Sequence, residues 1–296
     1  MNRRQFISRS AALLAAGSIA NQNLFAGTAT QKNPGRVGIQ LYSVRNQLPN
    51  NVAGTLKSIA AMGYAQVEMF SINNGTFFDI SMKEVKDMIH NLGMTISSTH
   101  TSSGVLPENI NAPEWDFWKR IAEYLNTLDA KWAVQSSLPI RSAASMDDLK
   151  RITGQFNRAG EVCKREGVKF AFHNHAEVFG KVGNDVVMEY MIANTDPNLV
   201  FYQLDMGHTV RGGGDCADLI RKFPKRIPMW HASDYDRAKK EYVWLGKGNV
   251  PYAALFDLAE STGLEVLTVE QETEVDTLTA CKADFDYIKQ FKWTQV

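Results

Sequence analysis

The chain has 296 residues, 44% hydrophobic and 22% charged, and its 32 basic and 32 acidic side chains cancel to a formal charge of zero. This composition buries a core readily, and it lacks the basic excess of a phosphate-backbone binder, so nucleic acid is not an expected partner. Cys163, Cys216 and Cys281 lie far apart with no CxxC or metal-knuckle spacing, and read as small buried side chains rather than a disulfide framework.

The N-terminal stretch NRRQFISRSAALLAAGSIA sets Arg3 and Arg4 ahead of Phe6 and Ile7. An Ala/Leu-rich run too short to span a bilayer follows, then small residues around Ala20 and from Ala26 to Ala29. That is the residue order of an export signal, and the paired arginines resemble a twin-arginine signal, a route that carries folded proteins and suits an enzyme loaded with metal beforehand. An amphipathic first helix is the alternative. Residues 1–30 are thus expected to be an export signal and 31–296 a periplasmic catalytic domain; no other segment approaches a membrane span.

Beyond residue 30, short apolar runs alternate with helical patterns. Strands are predicted at 36–43, 65–70, 94–100, 131–135, 168–173, 199–205, 226–231 and 265–270. Helices are predicted over 52–62, 82–92, 115–128, 146–166, 185–193, 217–223, 252–262 and 278–291. Several helices stop at a glycine just before the next strand, as in AMGYAQVE, NLGMTISS, REGVKFAF and STGLEVLT. Eight strands, each followed by a helix, predict an α/β fold of one domain, a (β/α)8 TIM barrel near its usual ~250 residues. An open doubly wound sheet would favour a glycine-rich phosphate loop after the first strand, and IQLYSVRNQL has none. The RGGGD run at 211–215 follows the sixth strand, lacks a P-loop lysine, and reads as a flexible βα loop.

Active sites of such barrels lie at the C-terminal ends of the strands. Five of the six histidines (His100, His173, His175, His208 and His231) fall at or just past predicted strand ends; His90 alone sits within a helix. Glu68, Asp205, Glu270 and Glu272 share the pattern. Carboxylates crowded at one barrel mouth repel unless something compensates them. Mixed nitrogen and oxygen donors from several strands can converge on one divalent cation: Mn, Mg, Co or Zn.

At this point GIQLYSVR, GYAQVEMF, FAFHNHAEVF, LDMGH, WHASDYD, LGKGNVPY and VEQE, in this order over nearly all of 31–296, resemble the sugar phosphate isomerase/epimerase group of xylose isomerase-like TIM barrels. The resemblance implies a divalent metal held by the fifth to eighth strands, with Asp205, His231 and Glu270 matching three ligands. It also implies substrate contacts at His208 and Arg237 and a substrate-side glutamate at Glu177. The family's fifth-strand glutamate aligns with Ala171, and His173 shares that face one step nearer the rim, so His173 is expected to replace it. His175 is the fallback, and either histidine could be an acid/base group instead.

The chemistry so implied is proton removal beside a carbonyl, with the metal stabilising an enediolate. Epimerases of the group use two glutamates; this chain keeps Glu270 and lacks its partner. Glu270 as base with a histidine as acid suits isomerisation, or β-elimination from a keto-sugar or keto-glycoside, better than symmetric epimerisation. The expected set is therefore Glu270, His175, Glu177 and His208 for catalysis, Glu68, His100, Arg237, Trp244 and Lys247 for substrate, and His173, Asp205, His231 and Glu270 for metal. Export favours an unphosphorylated carbohydrate, since only Arg211, Arg237 and Lys247 offer a phosphate cradle. Trp230, Tyr235, Tyr242 and Trp244 could stack on a sugar ring or pack as core or lid. A DNA-cleaving barrel would need more metal ligands and a basic groove. A non-catalytic carbohydrate-binding barrel is the other alternative, and a homo-oligomer would be unsurprising from the resemblance.

Overall fold

The computed structural model describes residues 36–72, 74–139, 145–273 and 277–295; the expected export signal lies outside the described residues. Eight parallel strands close into a barrel: β1 (Val37–Gln40), β2 (Gln66–Met69), β3 (Thr95–Thr101), β4 (Trp132–Gln135), β5 (Lys169–His173), β6 (Val200–Asp205), β7 (Met229–Ala232) and β8 (Val266–Val269). Each pairs with its neighbours in sequence, and β8 pairs with β1 to complete the ring. The strands read as continuous apolar runs because both of their faces are covered, the outer one by helices.

Strand alternation divides the side chains. Phe170, Phe172, Tyr202, Leu204, Trp230 and Leu267 belong to the large core between barrel and helices, where Phe156 and Trp118 pack against the β5 phenylalanines. Trp132, Val134, Ala171, Met229 and Val266 form a second, smaller buried cluster. Two residues further along their strands, Ala171, Met229 and Val266 give way to His173, His231 and Thr268, on the same inward face. The register levels this polar layer: Gln40 lies opposite Glu68, His173 opposite Gln203 and Asp205 opposite His231.

The surrounding helices are α1 (Val52–Met62), α2 (Met82–Asn91), α3 (Asp116–Leu128), α4 (Met146–Arg165), α5 (Val187–Ala193), α6 (Met206–Arg211), α7 (Cys216–Lys222), α8 (Tyr252–Phe256), α9 (Ala259–Thr262) and α10 (Thr277–Ile288). Their starts follow local chemistry: Asn51, Ser81 and Ser145 cap α1, α2 and α4, and Ser81 forms a reciprocal capping box with Glu84. β7 begins at Met229 rather than at 226 because Pro228 has no N–H to give the ladder. The predicted helix over 252–262 is two short helices, and α5 begins only at Val187, after a small hairpin at Lys181–Val182 and Asp185–Val186. Among the described residues no helix is long and apolar enough to cross a membrane.

Candidate metal centre and active-site cavity

The polar layer is organised by Glu68, which has no exposed surface. Its Oε1 accepts from Gln40 Nε2 (2.8 Å) and His231 Nε2, with His100 Nε2 at 3.1 Å; its Oε2 accepts from Ser98 Oγ (2.5 Å) and Gln203 Nε2 (2.8 Å). Burial alone would raise the carboxyl's pKa, but the His100 and His231 imidazoles outweigh it and hold Glu68 well below the usual carboxylate range. His231, its Nε2 taken by Glu68, turns Nδ1 to Glu270 Oε2 at 2.8 Å. Burial opposes its charge as well, yet the carboxylates of Glu68 and Glu270 hold its pKa well above the usual histidine value.

Asp205 ends β6 and caps α6. Its Oδ1 accepts from His208 N (2.6 Å) and Ser233 Oγ (2.6 Å), while the buried Oδ2 has no hydrogen-bond partner among the described residues. Asn174 fixes the backbone there, accepting from Asp205 N at 2.9 Å and donating to Asp205 O at 3.2 Å. His173 is buried at the end of β5, and burial, then the neighbouring His100 and His231, push it well below its ordinary pKa, leaving it neutral.

Donor atoms of His173, Asp205, His231 and Glu270 lie within 4.8 Å of one another, and all four residues are buried. Two nitrogen and two oxygen donors, a neutral imidazole and an orphaned buried carboxylate oxygen form a set that a divalent cation fits. Its absence would leave Asp205 Oδ2 desolvated without return. Glu68 stands behind His231 as the carboxylate that orients a metal-binding histidine from its far nitrogen.

Above this layer opens a cavity of about 590 Å³. One wall carries Tyr42, Phe70, Ser71 and Ile72, a second Thr101, Ser102, Ser136 and Ser137, and the floor and third wall His100, His173, His175, His208, Glu270 and Glu272. His208 sits between Tyr242 OH on Nδ1 and Glu272 Oε1, 3.2 Å from Nε2. Burial disfavours its charge, but Asp205 and Glu272 raise its pKa above the ordinary value. His175, 4.5 Å from His208 between ring centroids, has no hydrogen-bond partner among the described residues; burial and then His208 lower its pKa.

A family model for the xylose isomerase-like TIM barrel matches residues 56–293. The chain belongs to that family. A sequence relative is the inosose dehydratase of Geobacillus kaustophilus (strain HTA426), 25% identical over 224 residues, 68% of this chain and 70% of the relative. Among solved structures, a sugar phosphate isomerase/epimerase from Parabacteroides distasonis ATCC 8503 aligns with TM-score 0.79 and 25% identity, over 90% of this chain and 98% of that one. The IOLI protein, solved with a binding zinc atom, shares the fold at TM-score 0.69 and 16% identity, over 86% and 99% of the two chains. The chain's relatives are enzymes, and the chain is an enzyme of their broad class: isomerase/epimerase or related lyase.

Against this xylose isomerase-like frame the expected site residues divide. The four expected metal ligands converge, and His100, His175 and His208 line the cavity. Glu68 does not: its oxygens are consumed by buried donors, so it supports His231 and is closed to substrate. Glu177 is exposed on the turn Ala176–Phe179 and outside the cavity lining. Arg237, Trp244 and Lys247 are also exposed and outside it. The hairpin Asp234–Asp236 with Glu241–Val243 carries them away, and Arg237 Nε donates to Val210 O at the end of α6. Asp234 fastens that region by accepting from the backbone of Tyr235, Gly246, Gly248 and Val250. A Cβ at Gly248 would lie 2.3 Å from Asp234 Oδ1, which explains the glycine of LGKGNVPY.

Sequence reasoning missed Gln203 and Gln40, which complete the buried network, and the Tyr42–Phe70 and serine walls. A signal was available for Gln203: it lies two residues before Asp205 on the same face of β6.

Proposed function

We propose that this chain, with a divalent cation held by His173, Asp205, His231 and Glu270, is a lyase that removes a proton beside the carbonyl of a keto-sugar or keto-glycoside and expels the β-oxygen substituent. The observation that carries this reading is the asymmetry of the cavity. Its two imidazoles are placed unlike one another: burial lowers the pKa of His175, while His208 is paired with Glu272 and its charge is favoured by Asp205 and Glu272. Unlike groups suit a reaction whose acid and base do different work. The inosose dehydratase relative supports the same choice. Isomerisation or epimerisation is the second reading, favoured by the sugar phosphate isomerase/epimerase neighbour.

Bound among these four residues, a divalent cation would polarise the carbonyl and stabilise the negative charge that develops beside it. Two imidazoles among four donors suit Mn, Co or Zn better than Mg. We assign the base to His175 rather than Glu270, because His175 lines the cavity neutral and without a hydrogen-bond partner among the described residues, while Glu270 Oε2 is engaged by His231. His175 takes the carbon-bound proton. The electron pair left behind forms the carbon–carbon double bond, the bond to the β-oxygen breaks, and His208 supplies the proton that this oxygen needs. The charge on His208 is held by Asp205 and Glu272.

From the order of residues 1–30 we further propose export by a twin-arginine route, so that the substrate is an unphosphorylated carbohydrate met outside the cytoplasm. Fusing that segment to a reporter and measuring its periplasmic recovery tests this part alone. The reaction is tested by incubating metal-loaded protein with keto-inositols and keto-glycosides in D2O. Elimination gives a conjugated carbonyl absorbing in the ultraviolet and a released alcohol or water. Deuterium entering a fully recovered epimer, with nothing released, would replace the lyase reading with the epimerase one.

A further inference from the structure

Gln203 belongs to none of the motifs above, yet it touches three members of the buried layer. Its Nε2 lies 2.8 Å from Glu68 Oε2, and its Oε1 lies 2.7 Å from His100 Nε2 and 3.1 Å from His173 Nδ1. It has no exposed surface.

Donor and acceptor counting fixes which way the amide faces. Glu68 Oε1 already receives Gln40 Nε2, whose own amide is oriented because Gln40 Oε1 accepts from Tyr42 N at 3.1 Å. His100 Nε2 has two oxygens within reach, Gln203 Oε1 and, at 3.1 Å, Glu68 Oε1, so it must carry its hydrogen. A flipped Gln203 amide would set its NH2 2.7 Å from that same N–H, two donors face to face. The unflipped amide satisfies every atom, and its Oε1 then asks for a hydrogen from His173 Nδ1 as well.

We infer that Gln203 is a positioning residue which holds His173 as the Nδ1–H tautomer and so leaves Nε2 as the nitrogen His173 offers to the cavity. His231 differs, since it meets a carboxylate at each nitrogen, Glu68 at Nε2 and Glu270 at Nδ1, and no single tautomer is selected there. The Glu68–Gln203 pair therefore fixes the tautomer of His173. Without it, His173 is free to place a hydrogen where a ligand needs a lone pair. The consequence for metal binding rests on the proposed ligand role of His173; the tautomer does not.

The test is 15N NMR of histidine-labelled, metal-free protein, with the His173 resonances assigned by their loss in His173→Ala. Wild type should show His173 neutral and protonated at Nδ1. Gln203→Met should shift it towards the Nε2–H form and weaken zinc binding about 10–100-fold in a chelator competition, as loss of an orienting partner does. A wild-type spectrum with His173 protonated at Nε2 overturns the inference even if Gln203→Met fails to fold. So does a folded Gln203→Met with an unchanged tautomer. If His173→Ala leaves zinc affinity intact while the Nδ1–H tautomer is observed, the ligand reading fails and the positioning role stands.

Discussion

Replacing Glu68 by glutamine removes one charge and almost no volume, which makes it a clean perturbation of the buried layer. Five donors point at the two carboxylate oxygens: Gln40 Nε2 and the His231 and His100 Nε2 atoms on one, Ser98 Oγ and Gln203 Nε2 on the other. An amide can accept on one side only, so its NH2 must face at least one donor. The least costly placement is towards Ser98 and Gln203, which sets NH2 against NH2 unless Gln203 flips. Exchanging the carboxylate that His231 meets for a neutral amide oxygen costs about 1–2 kcal/mol, and one unsatisfied buried donor adds about 1–3 kcal/mol. Relief of carboxylate desolvation offsets part of this, leaving a net loss of about 3 kcal/mol. For a domain of this size that lowers the melting temperature by about 6–12 °C. Calorimetry of metal-free wild type and Glu68→Gln measures it, and chelator competition should show metal affinity about 10–100-fold weaker. Unchanged stability with a raised KM would refute the reasoning, because that is the behaviour of a substrate contact.

Three further outcomes follow from the geometry. His175→Ala should fold, keep its metal and lose about 10²–10⁴-fold in kcat; turnover near wild type would remove His175 from the chemistry. Gly207→Ala places a Cβ 2.5 Å from Ser233 Oγ and should push that hydroxyl off Asp205 Oδ1, costing about 1–3 kcal/mol in urea denaturation and weakening metal retention. A variant as stable as wild type would show that the helix start yields instead. Asp284, which accepts from Leu245 N at 2.8 Å and Gln271 Nε2 at 2.7 Å, has its carboxyl pushed up to about 7 by burial. Because the folded value lies above the unfolded one, its stabilising contribution is whole below about pH 4 and is lost as pH rises through 7, by at most about 4 kcal/mol. Asp284→Asn should flatten the decline of urea midpoints across that window, and a slope parallel to wild type would contradict the burial argument.

The barrel was legible because parallel strands buried on both faces leave short apolar runs, and because helices stopping at glycine mark the return to each strand. The convergence of His173, Asp205, His231 and Glu270 was legible for a related reason: strand ends become the barrel mouth, the resemblance singled out the last three, and strand parity added His173. Roles were harder to read than positions. Glu68 and His231 are 163 residues apart, and nothing local says that a strand-end glutamate will spend its oxygens on buried donors. Gln203 escaped notice because an uncharged amide raises no flag until closure sets it against Glu68, 135 residues away. Arg237, which the resemblance suggested, and Trp244 and Lys247 lie outside the cavity lining, because the hairpin that holds them depends on how Asp234 gathers backbone N–H groups from residues up to 16 positions onward.

The most direct test of the central claim is elemental mass spectrometry of the protein after metal loading and desalting, beside His173→Ala and Asp205→Asn. Asp205→Asn keeps the Oδ1 that receives His208 N and Ser233 Oγ and alters only the partnerless oxygen, so it should remain folded. The account predicts about one divalent ion per chain in wild type and none in either variant. Wild type that takes up no metal, or folded variants that retain it as wild type does, would contradict it.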